Sequence, residues 1–139
     1  MTSEPNVIFT YGTLRPDLGD RPEAHAFRAS ATHLGPASFQ GKLYAISWYP
    51  GVVDSTDPSD RVTGDLYEIG TGPDFFEKLD TYEGCAPPWP EPYEYIRAIR
   101  DVTFNGRTES AWIYLFNWPI TNQTCIESGD FANHTPRSR

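Results

Sequence analysis

Apolar and polar residues alternate over much of the chain, and this pattern predicts strands more often than helices. A β-branched and aromatic run at residues 6–11 stops at Gly12, as a short buried strand would. Gly35-Pro36 interrupts the next extended region, from which a half-buried strand is expected over residues 39–46. Residues 48–53 are expected to bend into another short strand, and further strands are expected at residues 62–69, 93–104 and 108–116.

Turn and helix signals separate these strands. Asn105-Gly106 predicts a tight hairpin between the last two strands. Pro22 can occupy the first turn of a short helix that extends to Ala29. A second helix is expected from Gly72-Pro73-Asp74 to Gly84, because apolar residues recur on one face, namely Phe75, Phe76, Leu79 and Tyr82. The proline-rich stretch at residues 85–92 predicts an irregular loop.

The excess of strands predicts an α+β fold with an antiparallel or mixed sheet. Gly41 and Gly64 lie inside expected strands, where glycine allows a bulge or a close backbone approach, so the sheet is expected to curl into a small barrel. No linker, internal repeat or low-complexity run interrupts the 139 residues. We therefore expect one domain over residues 1–139, with a polar C-terminal tail from about residue 120 whose end frays.

The composition disfavours several classes of partner. The chain has 11 Lys and Arg against 19 Asp and Glu, and its cations are not clustered, which argues against nucleic acids and anionic membranes. No apolar run approaches the roughly 20 residues of a membrane span, and the polar N-terminus is unlike a signal peptide. A cytoplasmic protein is therefore expected, with Cys85 and Cys125 as reduced thiols.

Common catalytic and metal-binding signatures are missing. The chain has no phosphate-binding glycine loop, no dinucleotide fingerprint, no nucleophile elbow and no zincin helix. Cys85 follows an expected helix C-terminus, where a thiol is not activated. Neither a histidine metal site nor a calcium loop is expected, because the spacing is wrong in both candidate sets: His25, His33 and His134, and Asp54, Asp57 and Asp60.

Two segments are candidates for chemistry. In Tyr11-Gly12-Thr13-Leu14, a glycine turn at a strand end can direct successive amides at a carboxylate or an oxyanion, although glycine is also common at ordinary strand ends. In Leu79-Asp80-Thr81-Tyr82-Glu83-Gly84, Glu83 comes at the end of the expected helix beside its apolar face. The helix dipole and the apolar surroundings would raise the pKa of Glu83 and favour proton exchange, whereas the alternative is a solvated glutamate before a capping glycine.

Several blocks together resemble the gamma-glutamylcyclotransferase family, AIG2-like branch. In register over about residues 6–118 they are Phe9-Thr10-Tyr11-Gly12-Thr13-Leu14-Arg15, Gly41-Lys42-Leu43-Tyr44, Tyr49-Pro50-Gly51-Val52-Val53, Val62-Thr63-Gly64-Asp65-Leu66-Tyr67-Glu68-Ile69, Leu79-Asp80-Thr81-Tyr82-Glu83-Gly84 and Tyr95-Ile96-Arg97. The resemblance implies a small mixed, partly closed β-barrel with flanking helices, and a pocket between the Tyr-Gly-Thr-Leu loop and a carboxylate.

The resemblance also implies a reaction and its residues. A γ-glutamyl amine or γ-glutamyl peptide would cyclise to 5-oxoproline and release the free amine, with no cofactor. The amides of Tyr11, Gly12, Thr13 and Leu14 would hold the γ-glutamyl portion, and Glu83 would be the general acid and base. A monomer or weak homodimer acting on a small molecule is expected. The alternative is a non-catalytic module that binds a small anion or metabolite on the same fold.

Further residues near these motifs are weaker candidates. Arg15 could bind the substrate α-carboxylate, with a surface arginine as the alternative. Tyr95 could face the pocket, although strand packing explains it equally well. Trp48 and Tyr49 could form a pocket wall, although buried aromatic residues usually belong to a core. The chain lacks the Asn-His pair that many relatives carry after the loop, and it carries a proline-rich insertion at residues 86–90, so the leaving amine stays open.

Overall fold

The computed structural model describes residues 5–12, 31–46, 50–69, 80 and 91–131. These residues form seven strands. The strands are β1 (Val7–Thr10), β2 (Thr32–Ala45), β3 (Pro50–Asp54), β4 (Arg61–Glu68), β5 (Tyr95–Phe104), β6 (Arg107–Phe116) and β7 (Thr124–Cys125).

Five strands form a closed mixed barrel. The order β2-β4-β1-β6-β5 is closed by the pairing of Ser38 on β2 with Thr103 on β5. Only the β1–β6 pair is parallel among these described strands, and the other neighbours are antiparallel. The expectation of a small mixed barrel is thus confirmed. Within this barrel, β1 is paired on both sides, with β4 and with β6.

Strand β2 is longer than the pattern predicts. The sequence places it at residues 39–46, whereas it begins at Thr32 and continues for 14 residues. Gly35-Pro36 does not end the strand, because the ladder to β4 absorbs the break as a register shift between His33 and Gly35. The first part of β2 pairs with β4, and its last residues pair with β3 and β7, so one long strand joins the barrel to the additional strands.

The two faces of the barrel sheet carry different apolar clusters, because successive side chains of a strand point to opposite sides. The interior cluster draws on all five barrel strands and includes Phe9, Phe39, Leu66, Val102 and Ile113. The cluster on the outer face comprises Ile8, Tyr67, Tyr95, Trp112, Tyr114 and Phe116. Most members of this outer cluster are aromatic, and Tyr95 and Tyr114 also make hydrogen bonds through their hydroxyl groups.

Glycines within the strands mark close backbone approaches, as expected. A Cβ on Gly41 would lie 2.6 Å from the Val53 carbonyl oxygen, and one on Gly64 would collide with the Thr10 carbonyl oxygen. The Asn105-Gly106 hairpin is also confirmed, with positive φ angles of 53° and 75° at the two turn residues.

The expected helices fall on residues that are not described. The helix at residues 22–29 lies wholly outside the described ranges, and from the helix at 72–84 only Asp80 is described, with helical backbone. The described ranges therefore contain no complete helix to support the expected flanking helices. Among the described residues, none belongs to a helix long and apolar enough to cross a membrane.

The segment after β6 packs on the barrel through residue 131. The sequence did not predict β7, yet Thr124 and Cys125 pair with the end of β2. Ile126 is buried in the interior cluster, and its amide donates a hydrogen bond to the Leu43 carbonyl, 2.7 Å away. The expected fraying concerns residues 132–139, which lie outside the described part of the chain.

Candidate active site

The Tyr-Gly-Thr-Leu motif begins where the central strand β1 ends. Tyr11 is buried, and its hydroxyl donates a hydrogen bond to the backbone carbonyl of Tyr114 on the parallel neighbour β6. Thr10, one residue earlier, pairs with Asp65 on β4. The start of the motif is therefore held by both strands that neighbour β1, namely β4 and β6.

Gly12 lies against the first residue of β3. A Cβ on Gly12 would be 2.9 Å from both Cγ and Cδ of Pro50, closer than side-chain carbons normally approach. The Pro50 carbonyl in turn accepts a hydrogen bond of 2.6 Å from the Tyr95 hydroxyl. The end of β1, the start of β3 and the start of β5 therefore meet at one place.

Tyr95 is buried at this junction. Its ring packs edge-on against Phe116, with 5.5 Å between the ring centroids, and its hydroxyl is already bonded to Pro50. These contacts favour a structural role for Tyr95 over direct contact with substrate.

Asp80 is bound at both carboxylate oxygens by the outer face of the sheet. Arg97 Nε donates to Oδ1 at 2.9 Å, and Arg97 Nη2 donates to Oδ2 at 3.3 Å. The Tyr114 hydroxyl donates to Oδ1 at 2.5 Å. The side chains of Arg97 and Asp80 are 24% and 18% exposed, so this bidentate ion pair is largely shielded from water.

Tyr114 connects the two candidate motifs. Its hydroxyl binds Asp80, which belongs to the Leu79–Gly84 block, while its backbone carbonyl binds Tyr11 of the Tyr-Gly-Thr-Leu block. The two blocks are far apart in the sequence, but one residue of β6 contacts both. Glu83 follows Asp80 by three residues, so covalent geometry limits its Cα to about 11 Å from that of Asp80.

A second polar pair joins β2 to β4, on the side of β1 away from β6. His33 Nε2 is 2.9 Å from Asp65 Oδ1, with the histidine 45% exposed and the aspartate 10% exposed. The His33 ring also contacts Tyr67 edge-on. Sequence reasoning assigned no role to Asp65, and no local signal could have identified it, because 32 residues separate the two partners.

Only part of the predicted site falls within the described residues. Tyr11, Gly12 and Tyr95 are described: Gly12 and Tyr95 both contact Pro50, and the Tyr11 side chain binds the Tyr114 carbonyl. The others lie outside the described ranges: Thr13, Leu14, Arg15 and Glu83, together with the weaker candidates Trp48 and Tyr49 and the insertion at 86–90. The contacts of Arg97 and Tyr114 were not predicted, although Arg97 belongs to one of the blocks that carry the resemblance.

The acidic loop between β3 and β4 behaves as a solvated turn. Two hydrogen bonds from Ser59 lower the pKa of Asp57; the bond from the backbone N–H has the larger effect and the bond from the hydroxyl the smaller. Asp60 lies 3.4 Å from the Lys42 ammonium and raises its pKa. Within the described ranges, no three His, Cys, Asp or Glu side chains are grouped so that they could hold a metal ion.

Comparison with known proteins relates the chain to one family over most of its length. Residues 8–133 match the family model described as gamma-glutamyl cyclotransferase, AIG2-like. The gamma-glutamylcyclotransferase family protein YtfP of Escherichia coli is 30% identical over 127 residues, which cover 91% of this chain and 96% of YtfP.

Solved structures have the same fold. The solution structure of YtfP from Escherichia coli superposes with a TM-score of 0.64 at 28% identity, covering 91% of this chain and 96% of YtfP. YkqA from Bacillus subtilis superposes with a TM-score of 0.66 at 25% identity over 90% of this chain, which spans only 39% of YkqA. The closed mixed barrel is therefore shared with these proteins.

Proposed function

Because the chain belongs to the gamma-glutamyl cyclotransferase, AIG2-like family, we propose that it converts a γ-glutamyl amine or γ-glutamyl peptide into 5-oxoproline and a free amine. The substrate supplies both reacting groups, since its own α-amine attacks its own γ-carbonyl. The protein must therefore fold the substrate into a cyclising conformer, exclude competing geometries and transfer a proton.

In the proposed reaction, Glu83 first removes a proton from the α-ammonium group, which frees the nitrogen lone pair. A bond then forms between this nitrogen and the γ-carbon, and the carbonyl oxygen becomes an oxyanion held by backbone amides of the Tyr11–Leu14 loop. Glu83 returns the proton to the leaving nitrogen as its bond to the γ-carbon breaks. As the ring closes, the attacking nitrogen gives up a second proton, which Glu83 passes to the released amine, so the ring nitrogen keeps one hydrogen and the amine leaves as an ammonium ion. Protons then balance over the cycle, and neither water nor a cofactor is consumed.

The observation that carries the proposal is the link through Tyr114. Tyr11, which opens the predicted oxyanion loop, and Asp80, which lies three residues before the predicted acid and base, bind the same residue of β6. Two sequence blocks with complementary proposed roles therefore each contact Tyr114, one at its backbone carbonyl and the other at its hydroxyl, and this shared contact supports the proposal. A binding module does not require an acid and base beside an amide loop, whereas cyclisation does.

The remaining assignments belong to the same proposal. Arg15 would bind the substrate α-carboxylate, where its planar fork suits two parallel hydrogen bonds. Tyr95 would shape the site indirectly by fixing Pro50 behind Gly12. We place the enzyme in the cytoplasm as a single domain that acts as a monomer or weak homodimer.

A screen for 5-oxoproline release tests the proposal. The purified chain is incubated with a panel of γ-glutamyl amines and γ-glutamyl peptides, and 5-oxoproline is measured by mass spectrometry. We expect turnover of at least one substrate. The Glu83→Gln variant should lose about 10²-fold or more in kcat, because the amide has nearly the same shape but cannot accept the proton.

Glu127→Gln is the matched control, because Glu127 is exposed on the segment after β7 and has no part in the proposed chemistry. It should retain wild-type turnover. If no member of a broad panel is turned over, or if Glu83→Gln keeps full activity, the cyclotransferase proposal is wrong. Binding of a γ-glutamyl compound without turnover would then favour the non-catalytic module.

A further inference from the structure

We propose that Asp80, Arg97 and Tyr114 form a clamp of positioning residues that fixes Asp80 on the outer face of the barrel and thereby restrains the segment leading to Glu83. The inference rests on the proposed function for its catalytic consequence, but the clamp itself is a physical property of the fold. It is built from three side chains that meet on the outer face of the barrel.

The guanidinium of Arg97 is also held by a contact that does not involve Asp80. Arg97 lies on β5 directly opposite Tyr114 on β6, and its guanidinium carbon is 4.5 Å from the centre of the Trp112 ring. This cation–π stacking holds the plane of the guanidinium, and the planar fork then accepts a carboxylate in only a narrow range of orientations. The fork therefore restricts where the Asp80 carboxylate lies and how it is oriented.

Tyr114 ties the clamp to the other half of the site. Its hydroxyl shares Oδ1 of Asp80 with Arg97, and its backbone carbonyl holds the Tyr11 hydroxyl. A displacement of Asp80 relative to β6 is thus also a displacement relative to the start of the Tyr-Gly-Thr-Leu loop. Since Glu83 follows Asp80 by three residues, the clamp limits the positions that its carboxylate can reach.

A shielded ion pair is a poor device for stability alone. Removing two charges from water costs free energy that the attraction between them offsets only partly, so an apolar contact of similar size would often stabilise as well. The ion pair instead fixes the orientation of the Asp80 carboxylate, because three hydrogen bonds are donated to its two oxygens. Fixed direction matters for proton transfer, where small displacements have large effects on rate.

The same strand offers a matched control. Arg100 on β5 also makes a bidentate pair, with Asp54 of β3, at 2.9 and 3.0 Å. That pair is more exposed, 38% for the arginine and 53% for the aspartate, and Asp54 belongs to neither candidate motif. Arg100→Gln therefore removes an equivalent pair of hydrogen bonds from the same strand without touching the clamp.

The test compares Arg97→Gln with Arg100→Gln in two measurements. Hydrogen exchange of the native protein, read by mass spectrometry over residues 81–84, should become faster in Arg97→Gln and stay at the wild-type rate in Arg100→Gln. On a substrate found in the screen, Arg97→Gln should lower kcat by about 10²-fold. Its KM should change little, because the clamp side chains bind one another and are proposed to act through the position of Glu83.

Tyr114→Phe tests the clamp with a smaller change, in case Arg97→Gln folds poorly. It removes one hydroxyl, keeps the ring and leaves the Arg97–Asp80 pair in place, so exchange and kcat should fall between wild type and Arg97→Gln. Equal exchange and equal kcat in the clamp variants and in Arg100→Gln would overturn the inference. If the wild-type chain releases no 5-oxoproline, the proposed function fails, and the exchange rates alone decide whether the clamp holds this segment.

Discussion

Gly12 lies so close to Pro50 that a Cβ on Gly12 would be 2.9 Å from two carbons of the proline ring. The proline ring is stiff and is itself tied to Tyr95 through its carbonyl, so it cannot move aside freely. The glycine of the Tyr-Gly-Thr-Leu motif is therefore required by packing as well as by the amide geometry that the proposed reaction needs.

Gly12→Ala should destabilise the protein by about 1–3 kcal/mol, because the added methyl group overpacks the contact with Pro50. Its effect on 5-oxoproline release per folded molecule should be larger still, since the loop backbone must shift. Urea unfolding and a turnover assay measure the two effects separately.

Gly106→Ala is the control for Gly12→Ala. Gly106 has a φ of 75°, and no atom lies within 4 Å of the place that an added methyl group would occupy. The cost of this substitution therefore comes from backbone strain of about 1–2 kcal/mol rather than from packing. Turnover per folded molecule should stay at the wild-type value. A Gly12→Ala protein with wild-type stability would contradict the tight contact with Pro50.

Tyr95→Phe should lower the free energy of unfolding by about 1–3 kcal/mol, because it leaves the Pro50 carbonyl without its phenolic donor. The edge-on contact with Phe116 is kept, so the core should not otherwise change. Urea unfolding should show a lower midpoint with an unchanged m-value. A midpoint equal to that of the wild type would mean that this hydrogen bond adds nothing to stability.

Asp57 should titrate below its ordinary pKa of 3.8, because the backbone N–H and then the hydroxyl of Ser59 stabilise its carboxylate. A lowered folded-state pKa means that the folded protein binds this proton more weakly than the unfolded chain does. The resulting stability is present above about pH 4 and is lost as the pH falls through the folded-state pKa. Carbon-detected NMR titration of the carboxyl group measures the shift directly.

Ser59→Ala provides the control for this titration. It removes the hydroxyl donor but keeps the backbone donor, so the pKa of Asp57 should rise part of the way toward its ordinary value. Asp57→Asn should flatten the dependence of stability on pH in the acidic range. A wild-type midpoint at or above the ordinary value would contradict the two hydrogen bonds.

The sequence determined most of the local structure. The β-branched and aromatic run before Gly12 predicted β1, and the later apolar patterns predicted β4, β5 and β6, all with only small differences at their ends. Asn105-Gly106 predicted the hairpin because both turn positions need positive φ. These features depend on neighbouring residues alone. The order of the motif blocks likewise identified the family, because several weak patterns in register are specific together.

Strand β2 and the segment after β6 depended on tertiary contacts. Gly35-Pro36 carries a local signal to end a strand, but the ladder with β4 absorbs the irregularity and β2 continues. The chain around Thr124 is polar and has no strand signal of its own, yet it pairs with the end of β2 and the interior cluster accepts Ile126. Pairing with a distant strand overrides local preference in both cases.

For the candidate site too, some features follow from the sequence and others only from the tertiary structure. The sequence by itself determined which residue types could hold an oxyanion or transfer a proton, because those are properties of glycine turns and carboxylates. Only the tertiary structure decided that Tyr11 and Asp80 bind the same residue, Tyr114, and that Arg97 holds the aspartate. The strand order places β6 between β1 and β5, and no spacing along the chain encodes which side chains then meet.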